Sequence, residues 1–195
     1  MIKQKYYIWT AVCCTGEPQS AQKAVVTMKR LDNDKNKSFC YNSDIAELEK
    51  YYEDRYEMIK KGNTDLVTLE LVMLGRALDF IGYIRNNLGI ELDNKESSVY
   101  ELEEVADALS RGIVQEHLFD AKENGMDVAS IASAYFGFLI IANIGGEWVD
   151  TQDGFAVTVN NRNAYIGDFM ERKLLGGNDL NIVDYYDSIK TVQVS

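Results

Sequence analysis

Apolar residues recur every three or four positions over much of the chain before residue 124, and this spacing predicts amphipathic helices. The predicted helices cover residues 19–31, 43–61, 65–88 and 97–123. Ser43 is expected to cap the second helix, and Asn63 or Thr64 the third. Gly89 directly follows the third helix and is the residue type that most often ends a helix in the left-handed conformation.

The stretch from Val128 to Gly146 has 19 residues without a charge. That length is close to the ~20 residues with which a helix crosses a bilayer. Serine, asparagine and glycine interrupt the stretch, however, and Asp127 and Glu147 bracket it without the basic and aromatic residues typical of membrane-spanning segments. We therefore interpret it as a central helix that is buried on nearly all sides.

After Gly146 the apolar period changes from about 3.6 to 2, which indicates strands. Residues 147–149 and 155–159 flank a hairpin turn signal at Gln152-Asp153-Gly154. A second turn at 160–163 leads to residues 164–166, and short helices are predicted over 169–175 and 180–189. Residues 5–14, rich in β-branched and aromatic side chains, predict an N-terminal strand.

The sequence thus predicts a predominantly helical α+β protein with a helical core, a small C-terminal antiparallel β-meander and an N-terminal strand. We expect a single domain over residues 1–195. Its parts are an N-terminal segment (1–42), acidic helices (43–125), and the buried helix with the meander and two short helices (126–195).

The chain has 31 acidic and 20 basic residues, a formal net charge of −11. Nucleic-acid binding depends on a cationic field that displaces phosphate counterions, and attachment to anionic lipid needs the same sign of charge. The composition argues against both, and it favours a cationic protein partner, which the negative field would attract.

Three cysteines, Cys13, Cys14 and Cys40, form neither a disulfide framework nor a Cys-x-x-Cys pair. The N-terminal sequence loosely imitates a signal peptide, but its apolar stretch is short. Two interpretations stay open: a cytoplasmic protein with a buried N-terminal strand, and an exported lipoprotein acylated at Cys13 or Cys14.

Candidate catalytic residues are few. His117 is the one histidine, so a two-histidine metal site cannot form within one chain. Asp32-x-Asp34-x-Asn36 imitates the start of a calcium loop but lacks the required glycine and glutamate. We expect no metal and no cofactor. Were the protein an enzyme, Glu147, Asp153 and His117 would be the residues to consider, in a pocket beside the hairpin.

Acidic pairs are common in this chain, and those at Glu103-Glu104-Asp107 and Glu47-Glu49-Glu53 are expected to be solvated. Tyrosines, in contrast, occur in clusters. Because adjacent helical residues point about 100° apart, one tyrosine of a pair can pack while the other faces outward. Outward tyrosines beside carboxylates suit protein binding, although half-buried structural tyrosines are the alternative. The candidate binding residues are Tyr51, Tyr52, Tyr56, Glu101, Glu104, Tyr185 and Tyr186.

A series of short motifs runs through the C-terminal third. In order, they are Tyr135-Phe136-Gly137, Gly145-Gly146-Glu147-Trp148, Gly167-Asp168-Phe169, Lys173-Leu174, Gly177 and Asp184-Tyr185-Tyr186. This part, from about Asp127 to Ile189, resembles a widespread class of small, uncharacterised bacterial domains with a helix, Gly-Gly-x-Trp, hairpin and helix. Some members are immunity-like proteins that protect bacteria from toxins. Asp168 departs from the Pro expected there, and the resemblance implies no catalytic residues.

These observations lead to the hypothesis of a non-enzymatic, cytoplasmic bacterial protein that binds another protein, in the manner of an immunity-type inhibitor of a toxin. The alternatives are a carboxylate-based hydrolase with its site near the C-terminal hairpin, and a structural homo-oligomer that buries its tyrosines in a symmetric interface.

Overall fold

A computed structural model describes residues 39–113, 128–176 and 179–191. The predicted N-terminal strand, the helix over residues 19–31 and the loop at residues 32–38 lie outside the described residues. His117, Cys13 and Cys14 also lie outside them.

In the described part of the chain, six α-helices accompany one three-stranded antiparallel sheet, which confirms the predominantly helical α+β class. The helices are α1 (Ile45–Lys60), α2 (Leu69–Leu88), α3 (Ser97–Ala108), α4 (Val128–Asn143), α5 (Ile166–Leu174) and α6 (Ile182–Thr191). The strands are β1 (Glu147–Thr151), β2 (Gly154–Val159) and β3 (Arg162–Ala164), in that spatial order.

Helix α4 is the centre of the fold, as its charge-free sequence predicts. It is buried along almost its whole length, and both α2 and α5 pack along it. The sheet covers it as well: the indole of Trp148 lies so close to Gly137 that a Cβ atom there would be 2.2 Å from Cη2 of Trp148. No helix among the described residues is long and apolar enough to cross a membrane.

The helix ends show where sequence signals succeed and where they mislead. Gly89 ends α2 with a φ of 69°, as predicted. The start of α2 was predicted near Thr64, but the chain forms a short 3-10 turn there, and Thr68 caps the helix by accepting the N–H of Leu71 at 3.2 Å. Asp44 rather than Ser43 caps α1. In both cases several residues of types that cap helices lie near the start of the helix, and residue type alone does not choose among them.

The described part of the acidic helix contains a change of helix type. Regular α3 ends at Ala108 and continues as a π-helical turn over Leu109–Ile113, after which the predicted remainder lies outside the described residues.

The meander is close to its prediction. Trp148 lies opposite Val157 in the first hairpin, and Val157 lies opposite Ala164 in the second. Asn160 and Asn161 both have positive φ, at 49° and 62°, which makes a tight two-residue turn of the kind that suits strand twist. Because that turn needs only two residues, β3 starts two residues before the predicted position. Helix α5 likewise starts at Ile166 rather than at residue 169.

Candidate functional site

One side of α3 presents a tyrosine between two carboxylates. Glu96, Tyr100 and Glu104 are each four residues apart, so they follow one another along the same side of the helix. All three are exposed, and Tyr100 is 60% exposed. Asp187 of the neighbouring helix α6 is also exposed, and its charge acts on Lys190, which binds Glu96. We call Glu96, Tyr100, Glu104 and Asp187 the acidic tyrosine face.

Lys190 of α6 connects the two helices at this face. Its ammonium donates a hydrogen bond to Glu96. That bond, together with the nearby charges of Glu96 and Asp187 and with Tyr100, raises the pKa of Lys190 above its usual value. The exposed ammonium therefore stays charged at neutral pH and neutralises only one of the three carboxylates of the face.

The other side of α3 is apolar, which fixes the direction in which the acidic tyrosine face points. Its buried residues are Val99, Leu102, Val105 and Ala106, and Leu109 continues the stripe into the π-helical turn. Since these positions recur at three and four residues, burying them leaves Tyr100 no place but the outer surface.

A buried ion cluster holds α3 against α5 and α6. Lys173 of α5 is only 4% exposed, and its ammonium donates hydrogen bonds to Glu103 (2.5 Å), Asp107 (2.7 Å) and the carbonyl oxygen of Leu180 (2.8 Å). The second carboxylate oxygen of Glu103 accepts the backbone N–H of Ile182, at the start of α6. Three elements thus meet at one fully partnered ammonium group.

The prediction that Glu103 and Asp107 are solvated is therefore wrong for Glu103, which is largely buried, and incomplete for Asp107, which is half-exposed but bound to Lys173. Burial lowers the pKa of Lys173, but the hydrogen bonds and charges of Asp107 and Glu103 outweigh it, so the pKa lies above its usual value. The cluster is a group of three paired charges that fixes helix geometry, and Lys173 is not a reactive amine.

The predicted binding tyrosines of α1 pack against the protein. Tyr52 lies in the core, so close to Gly75 of α2 that a Cβ atom there would be 2.5 Å from its ring. Tyr51 and Tyr56 are half-buried, with the guanidinium of Arg55 5.2 Å from the Tyr51 ring and the ammonium of Lys60 4.4 Å from the Tyr56 ring. The prediction that Tyr52 belongs to a binding surface is therefore wrong, because its ring packs in the core and only Tyr51 and Tyr56 remain near solvent.

The α6 tyrosines behave in the same way. Tyr186 is buried, and Tyr185 is half-buried with its ring stacked on Phe169 at 4.2 Å between centroids. Glu101 is half-buried and accepts a hydrogen bond from the hydroxyl of Ser98 at 2.9 Å. Of the predicted binding residues, Glu104 is the one that is fully on the surface, and it lies next to Tyr100, a residue the prediction omitted.

The structure separates the two described carboxylates of the hydrolase hypothesis. Glu147 opens β1 and Asp153 lies in the turn after it, both exposed. Four residue steps of strand, about 13 Å, divide Glu147 from Thr151 at the far end of β1. Across residues 39–113, 128–176 and 179–191, no group of three or more His, Cys, Asp or Glu side chains is placed to hold a metal ion.

A cavity of about 230 Å³ does lie beside the hairpin, as that hypothesis required, but neither Glu147 nor Asp153 lines it. Its walls come from α2, α4, α5 and the inner face of the sheet. The lining residues are Met73, Arg76, Ala129, Ser130, Ser133, Ala134, Trp148, Phe155, Ile166, Gly167 and Glu171.

One turn along α2 from Arg76 lies a buried carboxyl group. Asp79 is 9% exposed, and its Oδ2 atom is buried without a hydrogen-bond partner among the described residues. Burial raises the pKa of Asp79 to about 8, and the positive charge of Arg76 only partly opposes the shift. At neutral pH this side chain is mostly the neutral acid.

Sequence reasoning missed Tyr100, Lys173 and Asp79. The signal for Tyr100 was present, because Glu96, Tyr100 and Glu104 lie opposite the predicted apolar stripe of their helix. Lys173 and Asp79 each interrupt an otherwise apolar helical face, which marks a buried charge but does not name its partners.

Comparison of the chain with models of protein families, with curated proteins and with solved structures finds no match.

Proposed function

We propose that this protein acts by binding a cationic protein through the acidic tyrosine face, as an immunity-type inhibitor that occupies the working surface of a toxin. The observation that carries the proposal is the exposure of Tyr100 between Glu96 and Glu104. A tyrosine contributes a large amphipathic contact at a small loss of rotamer freedom, which is why tyrosines are enriched among residues that dominate binding.

The charges of this face favour a basic partner. Glu96 and Glu104 flank Tyr100 on α3. Asp187 of α6 adds a third carboxylate, and Lys190 offsets one of the three. The whole chain has a net charge of −11, so the field that a distant partner meets has the same sign as the local one. Such agreement raises association rates for a cationic protein and repels acidic ones.

The rigidity of the face supports the same function. Lys173 ties α3 to α5 and α6 through Glu103 and Asp107, which lie three and seven residues after Tyr100 on α3. The apolar stripe of α3 is fully buried. A surface that is already ordered before the complex forms loses little conformational entropy on binding.

The test begins with the product of the adjacent gene, which is purified together with this protein, and whose toxicity is measured in cells with and without it. For the binding pair, calorimetry then compares Tyr100→Ala and Glu104→Lys with the unchanged protein. We expect Tyr100→Ala to weaken binding about 10- to 30-fold, and Glu104→Lys to weaken binding most at low salt, where the charges of the face are least screened.

The matched controls are Tyr165→Ala and Glu53→Lys. Tyr165 is a 38% exposed tyrosine after β3, and Glu53 is an exposed glutamate on α1. Both should leave the affinity within about twofold, as expected for residues outside an interface. The proposal fails if the two proteins do not bind and cells are not protected, or if the controls weaken binding as much as the two variants of the face.

A further inference from the structure

The cavity beside the hairpin combines two opposite charges with aromatic walls. Arg76 is half-buried on the α2 side, and Glu171 of α5 is exposed. Between them the walls are apolar, formed in part by Met73, Trp148 and Phe155. Ligand sites typically have this composition, with mostly apolar walls and a few polar groups that fix orientation.

The aromatic walls are of two kinds. Trp148 is buried and wedged against Gly137, so its ring cannot move without displacing α4. Phe155 belongs to the same inner face of the hairpin but is 37% exposed, because it lies at the outer end of the sheet. The fixed indole and the accessible phenyl ring form a floor and a rim for a flat ligand.

The volume of the cavity limits the size of the ligand. An engineered cavity of about 150 Å³ holds benzene, and drug-sized ligands occupy about 300–1,000 Å³. A volume of about 230 Å³ therefore has room for one six-membered ring with a short substituent.

The polar groups define that substituent. Arg76 has five N–H donors in a planar fork that matches a carboxylate, so it can bind a ligand in addition to its contacts within the protein. Gly167, in the first turn of α5, adds the positive end of a helix that no side chain caps. Glu171, by contrast, is an acceptor for a cationic group. A ligand that satisfies both sides carries both charges.

We propose that this cavity binds a small zwitterion with one aromatic ring, its carboxylate at Arg76, its amine at Glu171 and its ring between Trp148 and Phe155. This site is separate from the acidic tyrosine face, and it stands whether or not the protein binds a toxin.

Calorimetry on the full chain with three probes that share one ring tests the proposal. L-phenylalanine carries both charges, 3-phenylpropionate only the carboxylate and 2-phenylethylamine only the amine. We expect L-phenylalanine to bind with a dissociation constant of about 1 mM or lower, and the other two at least about tenfold more weakly.

Charge variants then assign each end. Arg76→Gln should weaken the binding of L-phenylalanine and 3-phenylpropionate and leave that of 2-phenylethylamine unchanged. Glu171→Gln should weaken the binding of L-phenylalanine and 2-phenylethylamine and leave that of 3-phenylpropionate unchanged. Arg85→Gln on the same helix and Glu53→Gln on α1 are the matched controls, and both should bind as the unchanged chain does. Phe155→Ala, at an exposed position, tests the ring site even if Arg76→Gln fails to fold.

Absence of binding by L-phenylalanine at millimolar concentration overturns the proposal. So does binding of 3-phenylpropionate as tight as that of L-phenylalanine, since Glu171 would then have no role. Equal binding by Phe155→Ala and the unchanged chain places the ligand elsewhere and overturns it as well.

Discussion

Among the described residues, Lys173 and Asp79 are the two buried charged residue types, and they are buried in opposite ways. Lys173 has three hydrogen-bond acceptors, two of them carboxylates. Asp79 has a buried oxygen that accepts no hydrogen bond from the described part of the chain, and the neighbouring cation Arg76 only partly opposes the effect of burial. The first stays charged and the second gives up its charge.

The difference shows what burial does to an ionisable group. Taking a charge out of water is expensive, and only close partners of opposite sign compensate for it. Where they are present, as at Lys173, the charge becomes part of the architecture. Where they are lacking, the group takes up or loses a proton, and its stability contribution becomes dependent on pH.

The largest expected effect is from removing the ammonium. Lys173→Met leaves Glu103 largely buried without its cation, and loss of one partner of a buried pair costs about 3–5 kcal/mol. The free energy of unfolding in urea measures it. Lys95→Met, at an exposed lysine paired with Asp93, is the control and should not shift the transition measurably.

A double variant separates the charge from the packing. If the loss comes from the stranded carboxylate, Lys173→Met combined with Glu103→Leu should recover part of the stability, because no charge is then buried without its partner. Recovery is incomplete because the N–H of Ile182 and the carbonyl of Leu180 lose their partners in the double variant. A single variant as stable as the unchanged chain would mean that the cluster does not hold α3, α5 and α6 together.

The second expected effect is a gain in stability, from replacing Asp79. Because the pKa of Asp79 is raised in the folded protein, protonation of its carboxyl group favours the folded state. This stabilising contribution is fully present below the ordinary pKa near 4 and is lost as pH rises to about 8. Asp79 therefore destabilises the fold at pH 8 relative to pH 5. Asp79→Asn removes the ionisation and should stabilise the protein at pH 8 by about 1–3 kcal/mol, less than the full shift implies because the amide is also polar.

The measurement is the free energy of unfolding of both proteins from pH 5 to pH 9. The free energy of unfolding of the unchanged chain should fall relative to that of Asp79→Asn across this range. The stabilising contribution of Lys173 stays constant, because a group with a raised pKa loses its contribution only above its ordinary pKa of 10.5. Two parallel profiles would show that Asp79 is ionised in the folded protein at neutral pH.

The contrast also explains how much of this fold the sequence could predict. Helix α4 and the hairpin follow from local patterns: a charge-free stretch, an end at the Gly145-Gly146 pair and a turn signal at Asp153-Gly154. Each of these is a property of neighbouring residues, so the prediction needed no knowledge of the rest of the chain.

The buried charges and the tyrosines depend on long-range contacts. Lys173 meets Glu103, 70 residues earlier in the chain, and no local pattern specifies that pairing. Tyr52 is in the core because Gly75 of another helix leaves space for its ring, a choice between Tyr51 and Tyr52 that the α1 sequence alone does not make. The candidate site was missed at Tyr100 for a different reason, since clustered tyrosines drew the prediction away from a single exposed one.

The smallest effect lies within the Lys173 cluster. The Glu103 side chain is 16% exposed and also accepts the N–H of Ile182, whereas the Asp107 side chain is 46% exposed and binds Lys173 at 2.7 Å. Because solvent screens the outer pair, Asp107→Asn should cost below about 1 kcal/mol, and Glu103→Gln should cost more. Unfolding in urea ranks the two variants. A larger loss from Asp107→Asn would reverse the assignment of Glu103 as the carboxylate on which the buried ammonium depends.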